Sequence, residues 1–195
     1  MHWADSGTYT GEISGNMLKA IGAHYVILGH SERRQHMLET DEMINKKLKA
    51  ALKVHLHPIV CVGETREERD NNKTEEVISK QLIEALRDIT KEQMIQVILA
   101  YEPIWAISSG LESQQSGENR AATSIDANDG AKLIRKEIAK LYGNEIAEEI
   151  IIQYGGSMKS SNTKELNNMP DIDGGLVGGA STDPIEFSKT IHYNS

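Results

Sequence analysis

Short runs of apolar residues alternate along the chain with longer stretches in which apolar positions recur every three or four residues. The runs are Tyr25–Leu28, Ile59–Val62, Val97–Tyr101, Ile150–Tyr154 and Leu176–Val177. The first four are rich in Val and Ile and predict buried strands; the fifth is too short to assign from pattern alone. Between them, Ile44, Leu48, Ala51 and Leu52 share one helical face. So do Ile78, Leu82, Ala85, Leu86 and Ile89, and then Ala127, Ala131, Ile134, Ile138 and Leu141. Thr123 and Asp126 have capping-box spacing for the third of these helices, and Gly143 stands at its C-cap. Asp183 and Pro184 predict a further helix start before Ile185 and Ile191. Fully apolar strands alternating with amphipathic helices predict an α/β fold, a parallel sheet covered by helices, with an open doubly wound sheet as the alternative. One segment breaks the rhythm: residues 108–123 are almost devoid of apolar side chains and predict a long loop directly after a strand.

Composition narrows this picture. The 195 residues include one Phe and 5% aromatics, so the core must be aliphatic. That length predicts one domain, or two small ones. No apolar run approaches a membrane span, and no secretory signal is evident. Cys61 is the sole cysteine, which excludes an internal disulfide and most zinc sites. The expected compartment is the cytoplasm. A net charge of -8 argues against nucleic acid, and it repels anionic substrates unless local donors receive them.

Polar clusters follow the C-terminal ends of the strands, where barrels and open α/β sheets build their sites. His30 leaves a strand for a helix N-terminus, whose positive end is expected to lower the imidazole pKa and favour a neutral, hydrogen-bond-donating ring. Alone, it reads as a satisfied structural histidine. Glu102 ends an apolar strand beside Pro103 and Trp105. Low polarity there is expected to raise its pKa, which suits a general base; alone, it reads as a solvated acid. Gly155-Gly156-Ser157 and Gly178-Gly179 allow close backbone approach to an anion, although a Gly pair is more often a tight turn. Cys61 reads as a buried small hydrophobe within the least informative cluster, Cys61-Val62-Gly63-Glu64. The His55-x-His57 pair precedes its strand and reads as structural. There is no GxGxxG after any strand, so dinucleotide binding has no support.

Taken together and in order, "SGTYTGEIS", "GHSERR", "PIVCVGE", "AYEPIWAI", "IIQYGGS" and "DGGLVGGAS" resemble the triosephosphate isomerase family. The resemblance runs from Met1 to about Thr190 and implies a (β/α)8-barrel fold. It implies Glu102 as general base, His30 as the electrophile that polarises the carbonyl, and Glu32 in support. This division of labour is a standard illustration of pKa tuning. Ser157 and the amides of Gly178 and Gly179 would hold the phosphate of a triose phosphate. Pro103, Ile104, Trp105, Ile107, Arg120, Ala121 and Ala122 would belong to a lid that excludes water. No metal or organic cofactor is implied. The implied assembly is a homodimer, with Thr10 at the tip of a finger entering the neighbour.

The chain departs from the family in two ways. The family barrel has eight strands in roughly 250 residues, whereas five βα units are visible here, matching the family's fourth to eighth. An open or partial barrel over residues 1–195 is therefore expected, without the Asn-x-Lys segment that supplies the family's catalytic lysine. Asn45-Lys46 and Asn72-Lys73 read as solvated faces instead. Glu32 would lack its usual cationic neighbour, so a raised pKa in a protected site is expected. The finger would keep its shape but lose part of its socket, giving an incomplete interface. Association through open sheet edges is expected, as is an origin as an incomplete gene product that begins at an internal Met. The second departure is the lid, extended by about nine residues. Either Ser108 or Gly117 supplies its phosphate-facing amide, depending on how the insertion aligns.

Overall fold

A computed structural model describes residues 1–107 and 122–194. Five strands form one parallel sheet: β1 (Tyr25–Leu28), β2 (His57–Val62), β3 (Ile98–Tyr101), β4 (Ile151–Tyr154) and β5 (Gly174–Gly175). They lie in sequence order, with Tyr25 opposite His57, Ile59 opposite Ile98, and Tyr101 opposite Tyr154. The first four strands coincide with the predicted apolar runs. The fifth does not: pairing occurs at Gly174 and Gly175, against Gln153 and Tyr154, just upstream of Leu176. A pattern search for apolar residues passes over a strand made of two glycines. Among the described residues β1 and β5 each pair with a single neighbour, so the sheet is open.

The helices are α1 (Gly15–Ala20), α2 (Ser31–His36), α3 (Asp41–Lys53), α4 (Arg66–Asp70), α5 (Thr74–Ala85), α6 (Lys91–Met94), α7 (Ser124–Tyr142), α8 (Asn144–Glu149), α9 (Ser160–Asn167) and α10 (Pro184–Ile191). The predicted caps are present. Thr123 and Asp126 close a reciprocal capping box on α7, and Gly143 ends that helix at φ 96°. Asp183 accepts from the amides of Ile185 and Glu186 at the start of α10. Helix α5 stops at Ala85, so Leu86 and Ile89 reach the core from the following turn.

The main core lies between the sheet and α3, α5 and α7. Leu48, Leu82, Leu99, Ile134, Ile138 and Ile152 have no exposure. The opposite face carries a smaller cluster of Ile59, Cys61 and Ala100, flanked by Ile98 and Leu176. There Tyr25, Ile27 and Ile151 remain exposed. This asymmetry follows from strand alternation: one side chain enters the helix-covered layer and the next enters the uncovered one.

One sequence reading is corrected by the packing. Asn45 is not on a solvated face but buried, where its amide donates to the carbonyls of Ala85 at 2.8 Å and Arg87 at 2.9 Å. It ties α3 to the end of α5. Lys47 on the same helix is also buried, paired with Glu39. Asn72 sits in a turn at φ 58°.

Candidate active site

Two close approaches fix the backbone around Glu102. The amide of Glu102 donates to the Val62 carbonyl at 2.8 Å, continuing the β2–β3 ladder past the strand end. At Gly63 a Cβ would lie 1.9 Å from the Glu102 carbonyl oxygen, so no other residue fits without moving one of the two strand ends. On the helix side, a Cβ at Gly130 would meet the ring of Tyr101 at 2.1 Å. Glycine in mid-helix thus lets α7 press directly on the residue that precedes Glu102.

Glu102 itself is 3% exposed. Its Oε1 lies 3.0 Å from Nε2 of His30, and its Oε2 accepts from the Ser31 amide at 3.1 Å. His30 is the N-cap of α2, as the sequence predicts. Its Nδ1 accepts from the amide of Glu32 at 3.3 Å. An accepting Nδ1 leaves the proton on Nε2, so the neutral ring presents an N–H towards Glu102.

One electrostatic expectation is corrected here. The imidazole pKa is raised, not lowered: the hydrogen bond to Glu102 is the largest cause, partly offset by burial, and the Glu102 charge adds to it. A carboxylate in direct contact outweighs the helix terminus. Glu32 is exposed, so it does not occupy the protected site expected of it.

These groups open into a cavity of about 700 Å³, which runs from His30 and Glu102 past Ser157 to Gly178 and Gly179. The sequence therefore separates by more than seventy residues groups that the fold brings to one rim. At the glycine end, positions 178 and 179 have open space where a Cβ would be, and a 3-10 turn begins at Gly179. The Ser157 amide donates to the Ala106 carbonyl at 3.3 Å, which ties this end of the cavity to the stretch after Glu102. Lys159 lines the same cavity. Ile107 lines it as well, Pro103, Ile104 and Trp105 are buried, and Ala122 is half-buried against the core. Ser108, Gly117, Arg120 and Ala121 lie outside the described residues. Thr10 is exposed in a turn near the start of the chain. No described His, Cys, Asp or Glu residues gather in threes as a metal site would require. No described helix is long and apolar enough to cross a membrane.

The role of Glu64 was missed by sequence reasoning. It is fully buried and accepts from the Tyr101 hydroxyl at 3.0 Å, the Trp105 indole at 2.9 Å and Arg69 at 3.2 Å. Its signal was available: an acid two residues beyond a fully apolar strand, near the level at which Glu102 stands one residue beyond β3.

A family model described as triosephosphate isomerase matches residues 1–194. Among curated proteins, the triosephosphate isomerase of Alkaliphilus oremlandii is 53% identical over 193 residues, covering 99% of this chain and 74% of the relative. That of a Thermoanaerobacter species (strain X514) is 51% identical, with the same coverage. That of Clostridium tetani is 49% identical, covering 99% of this chain and 72% of the relative. Four of the six motifs that carry the resemblance reach the cavity, and the chain belongs to the triosephosphate isomerase family.

Proposed function

We propose that this site interconverts dihydroxyacetone phosphate and glyceraldehyde 3-phosphate by proton transfer through an enediolate. The supporting observation is the pairing of a buried carboxylate with an imidazole N–H on one wall of a cavity whose far end is built from glycines. Glu102 removes a proton from the carbon next to the carbonyl and returns it to the neighbouring carbon. To do so, its carboxylate exchanges the Ser31 amide for substrate. His30 donates through Nε2 to the carbonyl oxygen as negative charge develops there. Glu32 supports His30 through its backbone amide, which fixes the tautomer. Amides at Ser157, Gly178 and Gly179 receive the phosphate, which suits an acidic chain with few cations to offer. The first of these is freed only when its bond to Ala106 opens.

Residues Pro103–Ile107 lead into the 108–123 stretch, which includes Ala122 and which we assign as the lid. The five-stranded sheet is read as part of the family's eight-stranded barrel, in one domain spanning residues 1–195. A cytoplasmic homodimer, with Thr10 on its finger, completes this reading. No cofactor is required.

The second reading, phosphate or partner binding without turnover, is favoured by the absence of an Asn-x-Lys segment at any strand end among the described residues. An isomerase assay on the purified chain, with Glu102→Asp and His30→Gln controls, separates the two. Turnover lost in both controls supports the enzyme. Inactive chain that gains turnover from a peptide spanning the remaining quarter of the relatives supports an incomplete enzyme. Inactivity under both conditions leaves the binding reading.

A further inference from the structure

Three donors from two separate stretches converge on the buried carboxylate of Glu64. Tyr101 and Trp105 bracket Glu102 in sequence, and both are bonded to it. Burial, reinforced by the charge of Glu64, pushes the Tyr101 phenol well above its ordinary pKa, so it stays protonated and donates. The Ile104 amide also donates to the Glu64 carbonyl at 3.0 Å. A carboxylate at this depth needs a counter-charge.

Arg69 supplies one. It lies 3.2 Å from Glu64, and its guanidinium sits 4.4 Å from the centroid of the Trp105 ring. Its other terminal nitrogen holds Asp126 at 2.5 Å. Asp126 accepts from the Thr123 amide through its second oxygen, so the same side chain also caps α7. One planar fork thus joins the end of β2, the Tyr101–Trp105 stretch and the first turn of α7. A lysine, with a single point of charge, cannot reproduce this geometry.

We propose that Arg69 is a positioning residue for Glu102, holding the Tyr101–Trp105 stretch so that the Glu102 carboxylate stays against His30. Arg69 touches neither the cavity's glycine end nor the reacting groups; it acts through Glu64, Trp105 and Tyr101. The proposal rests on Glu102 being the base, and its test keeps the two claims separate.

The measurements are an NMR pH titration of His30, assigned with a His30→Gln variant, and kcat and KM for triose phosphate. They are made on the wild-type chain, Arg69→Met, Arg69→Lys and the double variant Arg69→Met/Glu64→Gln. Contact with Glu102 is what raises the His30 pKa, so that pKa reports where the carboxylate sits. Arg69→Met is expected to lower the His30 pKa and to reduce kcat about tenfold or more, with KM altered less than about twofold. The double variant carries a neutral amide that still accepts from Tyr101 and Trp105. It is expected to restore the His30 titration and most of kcat. Arg69→Lys should fall between wild type and Arg69→Met.

A folded Arg69→Met chain with wild-type His30 titration and kcat overturns the proposal. So does a fall in kcat with the His30 titration unmoved. If Arg69→Met does not fold, Arg69→Lys with wild-type titration and kcat overturns it equally. If the wild type shows no turnover with or without the peptide spanning the remaining quarter of the relatives, the isomerase reading fails, and the His30 titrations alone decide the role of Arg69.

Discussion

Replacing Gly63 with alanine adds one methyl group, 1.9 Å from the carbonyl oxygen of Glu102. Heavy atoms do not approach a real Cβ within 3.0 Å, so one strand end must retreat by about 1 Å. The partner that moves carries the carboxylate proposed as the base, and its amide is already committed to Val62 at 2.8 Å. Overpacking of this kind costs about 2 kcal/mol, which corresponds to a fall in Tm of roughly 4–8 °C for a chain of this size. A displacement of about 1 Å at a reacting group reduces kcat about 100-fold, equivalent to about 3 kcal/mol of transition-state stabilisation. Steady-state kinetics beside a thermal melt measure both. Because the phosphate end of the cavity is untouched, KM should change far less than kcat. A Gly63→Ala chain that melts at the wild-type temperature with unchanged kcat would refute the argument that this close approach sets the position of Glu102.

The raised His30 pKa fixes the sign of a pH effect. A group whose folded pKa exceeds its unfolded value stabilises the fold fully below about pH 6.5 and loses that contribution as pH rises through the folded pKa. His30→Gln should therefore lower Tm more at pH 6 than at pH 9, and equal losses at both would refute the contact. Burial, with the nearby Glu102 charge, pushes the Cys61 thiol well above its ordinary range. The native chain should resist thiol reagents at pH 8 and react fully once unfolded in denaturant. Ile134 has no exposure on the α7 face packed against the sheet, so Ile134→Ala should destabilise by about 2–5 kcal/mol in a urea titration.

Local patterns carried much of the fold into the sequence. The runs at Tyr25, Ile59, Val97 and Ile150 became strands because short runs rich in Val and Ile favour extended backbone and bury one face beneath the helices. The caps at Thr123, Gly143 and Asp183 were readable because capping depends on residues within one turn. His30 and Glu102 were legible as candidates because both stand within two residues of a strand end. The two-glycine strand β5 was not, since backbone pairing needs no side-chain signature.

Tertiary contact alone decided the rest. That the His30 pKa rises depends on a carboxylate 3.0 Å away and 72 positions along the chain, against which a local helix terminus is the weaker field. That Asn45 is buried depends on carbonyls left open at the end of another helix. That Glu64 organises the stretch around Glu102 depends on Tyr101, Trp105 and Arg69 arriving from separate elements. The sequence alone determined which segments become strands and helices and which strand ends bear reactive groups, because those depend on neighbours along the chain. Electrostatics and close packing depend on neighbours in space, and only the folded sheet brings those together.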